Sequence, residues 1–270
     1  MKEKLLFPPG TDGFAFITGP PLRPRTPHHH DELELNLVLT GKADYLFGRR
    51  RVPLPIGAMI WLFPKQEHVL MACSHDFSMW VVVFKPELVE RRTAQGGRLL
   101  LRSRDPGDIF CRQIETRRAD LLNQVYENAS GGDCDPELVN AALDYALVAS
   151  WDAYQFAGEP LPRTDVHPAV AKAARLIAEA DAPLALGRLA HEAGLSAARL
   201  SRLFKRQTGT GLTAFRQRKC IERFLRLYRT GARYTLIEAA LMAGFGSYPQ
   251  FHRVFRQVMG MSPAAYRRSL

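Results

Sequence analysis

The apolar positions change period part-way along the chain. Leu33-Glu34-Leu35-Asn36-Leu37-Val38-Leu39 runs in near alternation until Thr40-Gly41-Lys42 turns the chain, which predicts a strand followed by a turn. Further strands are predicted around Ala43–Phe47, Arg51–Leu54, Met59–Phe63, His68–Ala72 and Ser78–Phe84, with Gly48, Pro53 to Gly57 and Pro64 between them. Short strands at regular spacing argue for a small β-barrel or sandwich. Its interior would receive Trp61, Phe63, Trp80 and some of the valines at 81–83. From residue 108 the period lengthens to that of a helix. Asp108 to Asn128 predicts one helix, with Ile114, Leu121, Leu122 and Val125 apolar. Asp135-Pro136-Glu137 opens another, with Asp as cap and Pro at the first helical position. It runs to about Phe156 and is expected to bury Leu138, Ala142, Tyr145, Val148 and Ala149. This pair packs either on the barrel or on a second subunit.

The last hundred residues carry one pattern twice. Leu189-Ala190-His191-Glu192-Ala193-Gly194-Leu195-Ser196, then Leu200, Arg202, Phe204 and Gly209, is matched by Ala239-Ala240-Leu241-Met242-Ala243-Gly244-Phe245, then Phe251, Arg253, Phe255 and Gly260. The offset is 50 residues up to the turn and 51 after it, so the second copy has one extra residue near Gly246. Each copy is a short amphipathic helix, a Gly turn and a second amphipathic helix, the helix-turn-helix pattern whose second helix enters a DNA major groove. In the first copy Leu200, Leu203 and Phe204 point inward, and Ala198, Arg199, Ser201, Arg202, Lys205 and Arg206 are left outside. In the second, Phe251, Val254, Phe255 and Val258 point inward, and Tyr248, Pro249, His252, Arg253 and Arg256 face out. Arg forks onto guanine O6 and N7, and Ser and His reach base edges or phosphates. Between the copies Thr213 to Arg229 predicts one helix of about 25 Å, long enough to hold two heads at successive major grooves about 34 Å apart. Its cations Arg216, Lys219, Arg223 and Arg226 form a stripe opposite Phe224, Leu225 and Tyr228. That stripe lies along phosphates or is a solvated face.

Charge sharpens this division. From Asp165 onward there are 18 Lys and Arg against 6 Asp and Glu, whereas the preceding residues have 19 against 21. A near-neutral front and a strongly basic back point to a polyanion bound by the back half alone. Cys73, Cys111, Cys134 and Cys220 are scattered without a Cys-x-x-Cys pair, the usage of a reducing cytoplasm rather than of a disulfide frame or zinc finger. No run approaches 18 apolar residues and Met1 to Gly10 has no apolar signal core, so neither a membrane span nor export is expected.

The segment from His167 to Leu270 resembles the DNA-binding domain of AraC/XylS-type transcriptional regulators. The resemblance rests on Leu-Ala-x-x-Ala-Gly-Leu-Ser at 189–196, Leu-Ser-Arg-Leu-Phe-Lys at 200–205, Ala-Gly-Phe at 243–245, Phe-His-Arg-Val-Phe-Arg at 251–256 and Gly-Met-Ser-Pro-Ala-Ala-Tyr-Arg at 260–267. It implies seven helices, two helix-turn-helix units sharing a linker helix, and base readers near Ala198, Ser201 and Arg202 and near Tyr248, Pro249, His252 and Arg253. Pro249 replaces the small polar residue usual there and removes a possible phosphate-binding amide, so the second head reads less than the first.

One constellation in the front half bears on chemistry. His28 and His30 share a face of an extended strand, Glu34 keeps their parity, and His68 follows Gly57 by 11 residues. Three imidazoles and a carboxylate form a complete ligand set for Zn, Mn, Fe or Ni. The run His28-x-His30-x3-Glu34-x6-Gly41 resembles the first cupin motif, and Gly57 to His68 the second, although Pro64 stands one place late and Lys65 replaces a Gly. AraC-type regulators often carry a cupin-like barrel in front, where the motif survives either as a metal site, as scaffold for an organic effector pocket, or in an inert dimerisation barrel.

These readings combine into an α+β chain. A cupin-like sensor or dimerisation domain spans residues 1–156, with the barrel to about 95 and helices over 108–156. A linker covers 157–166 and an AraC-type DNA-binding domain 167–270. The expected function is a cytoplasmic, sequence-specific regulator, an activator and not an enzyme, controlled by a small molecule or metal. Its expected partners are double-stranded DNA, the effector, RNA polymerase and a second copy of the chain. A metal-dependent cupin enzyme with a DNA-binding tail is the alternative, and a non-specific architectural DNA binder a third.

Overall fold

The computed structural model describes residues 5–19, 31–94, 98–130, 134–180, 182–229 and 234–268. The front half is built on two antiparallel sheets. One is ordered β1-β7-β2-β5-β8, from β1 (Gly13–Thr18), β7 (Ser78–Phe84), β2 (Leu33–Thr40), β5 (Ala58–Leu62) and β8 (Phe110–Gln113). The other is ordered β6-β3-β4-β9, from β6 (His68–Cys73), β3 (Ala43–Phe47), β4 (Arg50–Leu54) and β9 (Thr164–Asp165). Helix α1 (Pro86–Thr93) follows β7, and α2 (Thr116–Ala129) and α3 (Pro136–Gln155) pack on the outside of the larger sheet.

That sheet is therefore buried on both faces, and parity within it separates two cores. Val38, Ile60, Leu62, Val81 and Val83 point toward the smaller sheet, where Tyr45, Phe47, Val52 and Leu54 meet them. Leu35, Leu37, Trp61, Phe63, Trp80 and Val82 point the other way, against Leu122, Tyr126, Leu147 and Trp151. This corrects the placement of Trp61, Phe63 and Trp80 between the sheets. Trp61 meets Trp151 edge to face at 5.8 Å. Trp80 meets Tyr126 likewise and donates its indole N–H to Oδ1 of Asn123 at 2.7 Å. When both faces of a strand are apolar, alternation does not say which side is the interior.

Two helix expectations also shift. The predicted helix from Asp108 begins instead at Thr116, because Phe110–Gln113 pairs with β5 and extends the larger sheet. In α3 the cap is Asp135, which accepts from the Glu137 N–H. The buried side holds Val139, Leu143, Ala146, Leu147 and Trp151, and leaves Leu138 (67% exposed) and Tyr145 (52%) outside. Leu121 of α2 is likewise half exposed.

The back half is helical: α4 (Pro168–Glu179), α5 (Leu186–Glu192), α6 (Ala197–Thr208), α7 (Leu212–Arg229), α8 (Leu236–Met242), α9 (Tyr248–Met259) and α10 (Pro263–Arg268). It has two cores. Val170, Ala173, Leu189, Leu200 and Phe204 form the first, Ala239, Phe245, Phe251, Val254 and Phe255 the second. α7 belongs to both, with Leu212 and Phe215 in the first and Ile221, Phe224 and Leu225 in the second. A single continuous helix thus braces the duplicated units.

The two halves share buried surface. Leu46 of β3 and Met71 of β6 enter the first helical core beside Val166 and Val170. Arg218 of α7 donates to the carbonyls of Leu70 (2.9 Å) and Met71 (2.5 Å). The segment between the halves is itself zipped onto the sheets: Leu161 N–H donates to Cys111 O, β9 pairs with β4, and Val166 N–H donates to Arg49 O. No helix among the described residues is long and apolar enough to cross a membrane.

Candidate nucleic-acid interface and polar cluster between the sheets

The second helix of each duplicated unit is delimited by its own sequence. Ser196 caps α6 by accepting from the Arg199 N–H at 3.3 Å, and Ser247 caps α9 by accepting from the Gln250 N–H at 3.4 Å. Both helices stop at a left-handed glycine, Gly209 (φ 72°) and Gly260 (φ 70°), the residue that reaches this conformation at least strain. The preceding turns are alike too: Leu195 N–H donates to Ala190 O, and Phe245 N–H to Ala240 O, at 3.0 and 3.1 Å. Gly244 (φ 100°) also packs so closely on Pro183 that an added Cβ would meet its Cγ at 1.7 Å, which fastens the second turn to the loop after α4.

Burial of the apolar side leaves the remaining positions outside. On α6, Ala198, Arg199, Arg202, Lys205 and Arg206 are exposed and Ser201 is half-buried. On α9, Pro249, Arg253 and Arg256 are exposed, while Tyr248 and His252 are half-buried with their rings 6.1 Å apart. Neither helix contains a carboxylate. Among the described residues no ion pair engages these arginines or Lys205, and the docked front half leaves them open to solvent. The two heads therefore present positive charge without internal neutralisation, the condition for counterion exchange with a polyanion.

The cationic stripe of α7 is different, which corrects both readings given to it above. Arg223 is 7% exposed and donates to the carbonyls of Ala243 (2.9 Å) and Ala180 (2.6 Å). Arg216 donates to Leu184 O at 2.6 Å. Lys219 is buried against Glu222, 2.6 Å away, and burial pulls its pKa down while that carboxylate opposes the shift. Only Arg226 of the four is exposed. Arg216 and Arg223 tie the brace helix to the loop after α4 and to the second turn, and Lys219 pairs with Glu222 within the helix.

The interior between the sheets holds a polar set among apolar side chains. Glu34 and Asn36 lie on the inward face of β2, opposite Leu62 and Val83 and opposite Ile60 and Val81. Both are buried. Asn36 donates to the Tyr45 hydroxyl at 3.2 Å, while its Oδ1 has no partner among the described residues. His68 is buried with its ring 5.4 Å from that of Tyr45 and its Nδ1 3.1 Å from Gln66 O. Of the four metal-ligand candidates, Glu34 and His68 are thus buried between the sheets, whereas His28 and His30 lie outside the described residues. Among the described residues no three His, Cys, Asp or Glu side chains gather as a metal site. Parity of Glu34 was readable in the sequence. Asn36 and Tyr45 were not singled out, although both sit in alternating runs at the inward parity.

Residues 13–143 match the family model described as AraC-like ligand binding domain, and residues 189–269 match a helix-turn-helix domain model. The right origin-binding protein of Escherichia coli is 35% identical over 89 residues, 33% of this chain and 30% of that protein. The transcriptional regulator Rob of Salmonella typhimurium gives the same identity and coverage. The match thus spans under a third of these relatives' own length. Among solved structures, ToxT from Vibrio cholerae is similar at 14% identity, covering 94% of this chain and 95% of that one with a TM-score of 0.38. The AraC-like transcriptional activator CuxR aligns at 17% identity over 81% and 74% of the two chains, with a TM-score of 0.33.

Proposed function

We propose that the chain, which matches the AraC-like ligand binding domain in front and a helix-turn-helix domain behind, is a sequence-specific transcriptional regulator of the AraC family whose helical half reads DNA and whose front half senses an effector. The observation that carries this is the pair of capped helices α6 and α9, each exposing arginines that no carboxylate neutralises among the described residues. Ala198, Ser201 and Arg202, with His252 and Arg253, are the base readers in this reading, and Arg199, Lys205, Arg206 and Arg256 flank them. Selection of a preferred duplex from a random pool, followed by titration of that duplex and a scrambled one across salt, tests it. Preference of at least about a thousandfold is expected for a specific regulator. Equal affinity for both duplexes would make the protein a non-specific binder instead. Arg202→Ala should relax discrimination at one base position by about 1–3 kcal/mol.

The effector is assigned to the polar cluster of Glu34, Asn36, Tyr45 and His68 between the sheets, because the buried Oδ1 of Asn36 lacks a donor among the described residues and a ligand N–H or O–H would supply it. A divalent metal is the second reading. It is favoured by the burial of His68 and Glu34, an imidazole and a carboxylate, between the same two sheets. Glu34, His68, His28 and His30 would hold the ion. Elemental analysis of the purified protein, repeated on His68→Ala, separates the two. No residue is assigned a catalytic role, and the family matches do not favour a metal-dependent enzyme. Leu121, Leu138 and Tyr145 support a homodimer through α2 and α3, and the four free cysteines support the cytoplasm as compartment. The output in this reading is activation through contact with RNA polymerase, which transcription from a template carrying the selected site would measure.

A further inference from the structure

His167 ends the connecting segment and meets the first reading helix. Its backbone N–H donates to Oε1 of Gln207 at 2.8 Å, and its Nδ1 accepts from the Ala169 N–H at 3.1 Å, capping α4. A neutral imidazole that accepts through Nδ1 carries its proton on Nε2. The capping role therefore leaves one ring N–H as a donor, on an exposed side chain. That ring lines a concavity of about 540 Å³ together with Arg199, Arg202, Leu203 and Arg206.

The three arginines stand at i, i+3 and i+7 of α6, so they share one flank. No carboxylate lines the hollow, and none of the three guanidinium groups is ion-paired among the described residues. Like charges gathered around one water-filled space repel, and an anion at its centre turns that repulsion into attraction. Guanidinium forks match the oxygens of a phosphate. Arg202 borders both this hollow and the positions of Ala198 and Ser201, one turn and one residue away, so the hollow lies beside the base-reading surface.

We propose that this concavity seats one backbone phosphate of bound DNA, held by Arg199, Arg206 and the Nε2–H of His167. The assignment rests on the reading of α6 as a DNA-binding helix. It gives Arg199 and Arg206 to the backbone and leaves Arg202 to reach bases. It also joins DNA to the connecting segment, because Val166, the residue before His167, exchanges hydrogen bonds with Arg49 of the front half in both directions.

The test uses the full chain, a random-sequence duplex, and inorganic phosphate as a separate probe. Loss of one phosphate contact in Arg199→Gln/Arg206→Gln should flatten the slope of log affinity against log salt by about 0.9. His167→Ser keeps a capping oxygen but no ring donor. It should leave the slope alone and weaken random and selected duplexes equally, by about three- to tenfold, the worth of one neutral hydrogen bond. Added to the double arginine variant, it should have no further effect. An unchanged slope in the arginine variant, with wild type binding normally, overturns the seat alone. A wild type with no salt-dependent duplex binding overturns the DNA reading beneath it. If inorganic phosphate raises the melting temperature of wild type but not of the arginine variant, while the DNA slope stays unchanged, the hollow takes a free anion and the proposal also fails. The arginine positions are exposed, so they carry the test even if His167→Ser does not fold.

Discussion

A guanidinium that faces two carbonyls and one that faces water do different work, although the residue type is the same. Arg223 satisfies the Ala243 and Ala180 carbonyls from a nearly buried position. Removing it leaves both acceptors without their charged donor, and hydrogen bonds to charged groups are worth about 1.5–3 kcal/mol. Arg223→Ala should therefore lower the denaturant midpoint of the helical half by an amount in that range. Exposed Arg206→Ala should leave the midpoint within about 0.5 kcal/mol. Equal midpoints for the two variants would return Arg223 to the solvated surface. The sequence could not separate these arginines, because the acceptors of Arg223 and Arg216 lie on loops 20 to 43 residues away. What it did disclose was a residue whose partner is local: Asp135 caps its helix through the Glu137 N–H two residues on, as predicted.

Among the elements, the inward side of those with one wet face was readable and that of those with none was not. The reading helices have a single apolar side ending at a glycine, so their inward and outward positions follow from spacing alone. β3 and β7 occupy the predicted residues. In the larger sheet both faces are covered, and the tryptophans went to the wrong side. α3 was misread for a related reason: a second apolar stripe, Leu138 and Tyr145, lies beside the one that packs. A stripe of that kind outside the core is where the proposed homodimer would pack. Leu138→Lys with Tyr145→Lys should halve the mass seen by light scattering at micromolar concentration while leaving the melting temperature of the separated chains unchanged. A monomeric wild type would dismiss the dimer.

At the scale of the whole molecule, the segment between the halves is a structural member. Arg163 of that segment holds Asp108 by a short ion pair and also donates to Ile109 O at 3.0 Å, and Arg50 lies 3.4 Å from the same carboxylate. The hydrogen bond from Arg163 lowers the Asp108 pKa below its usual value, with burial opposing. A carboxylate depressed in the folded state contributes stability above its unfolded pKa of about 3.9 and loses it as pH falls through the folded value. Below about pH 4 the connecting segment should thus become more sensitive to proteases, and Asp108→Asn should show that sensitivity already at neutral pH. Arg218→Ala, which removes the donor to Leu70 and Met71, should loosen the same contact, seen as an increased radius of gyration in solution scattering. No increase would mean that Leu46 and Met71 suffice to hold the halves together.

The two-residue strand β9 bears on any attempt to exchange sensors between such proteins. Its hydrogen-bonding partner, β4, is encoded more than a hundred residues upstream. A chimera spliced at the apparent domain boundary would graft this strand onto a foreign sheet edge. The stretch from Leu161 to Val166 should therefore travel with the front half it was shaped against, and the fusion point belongs at His167.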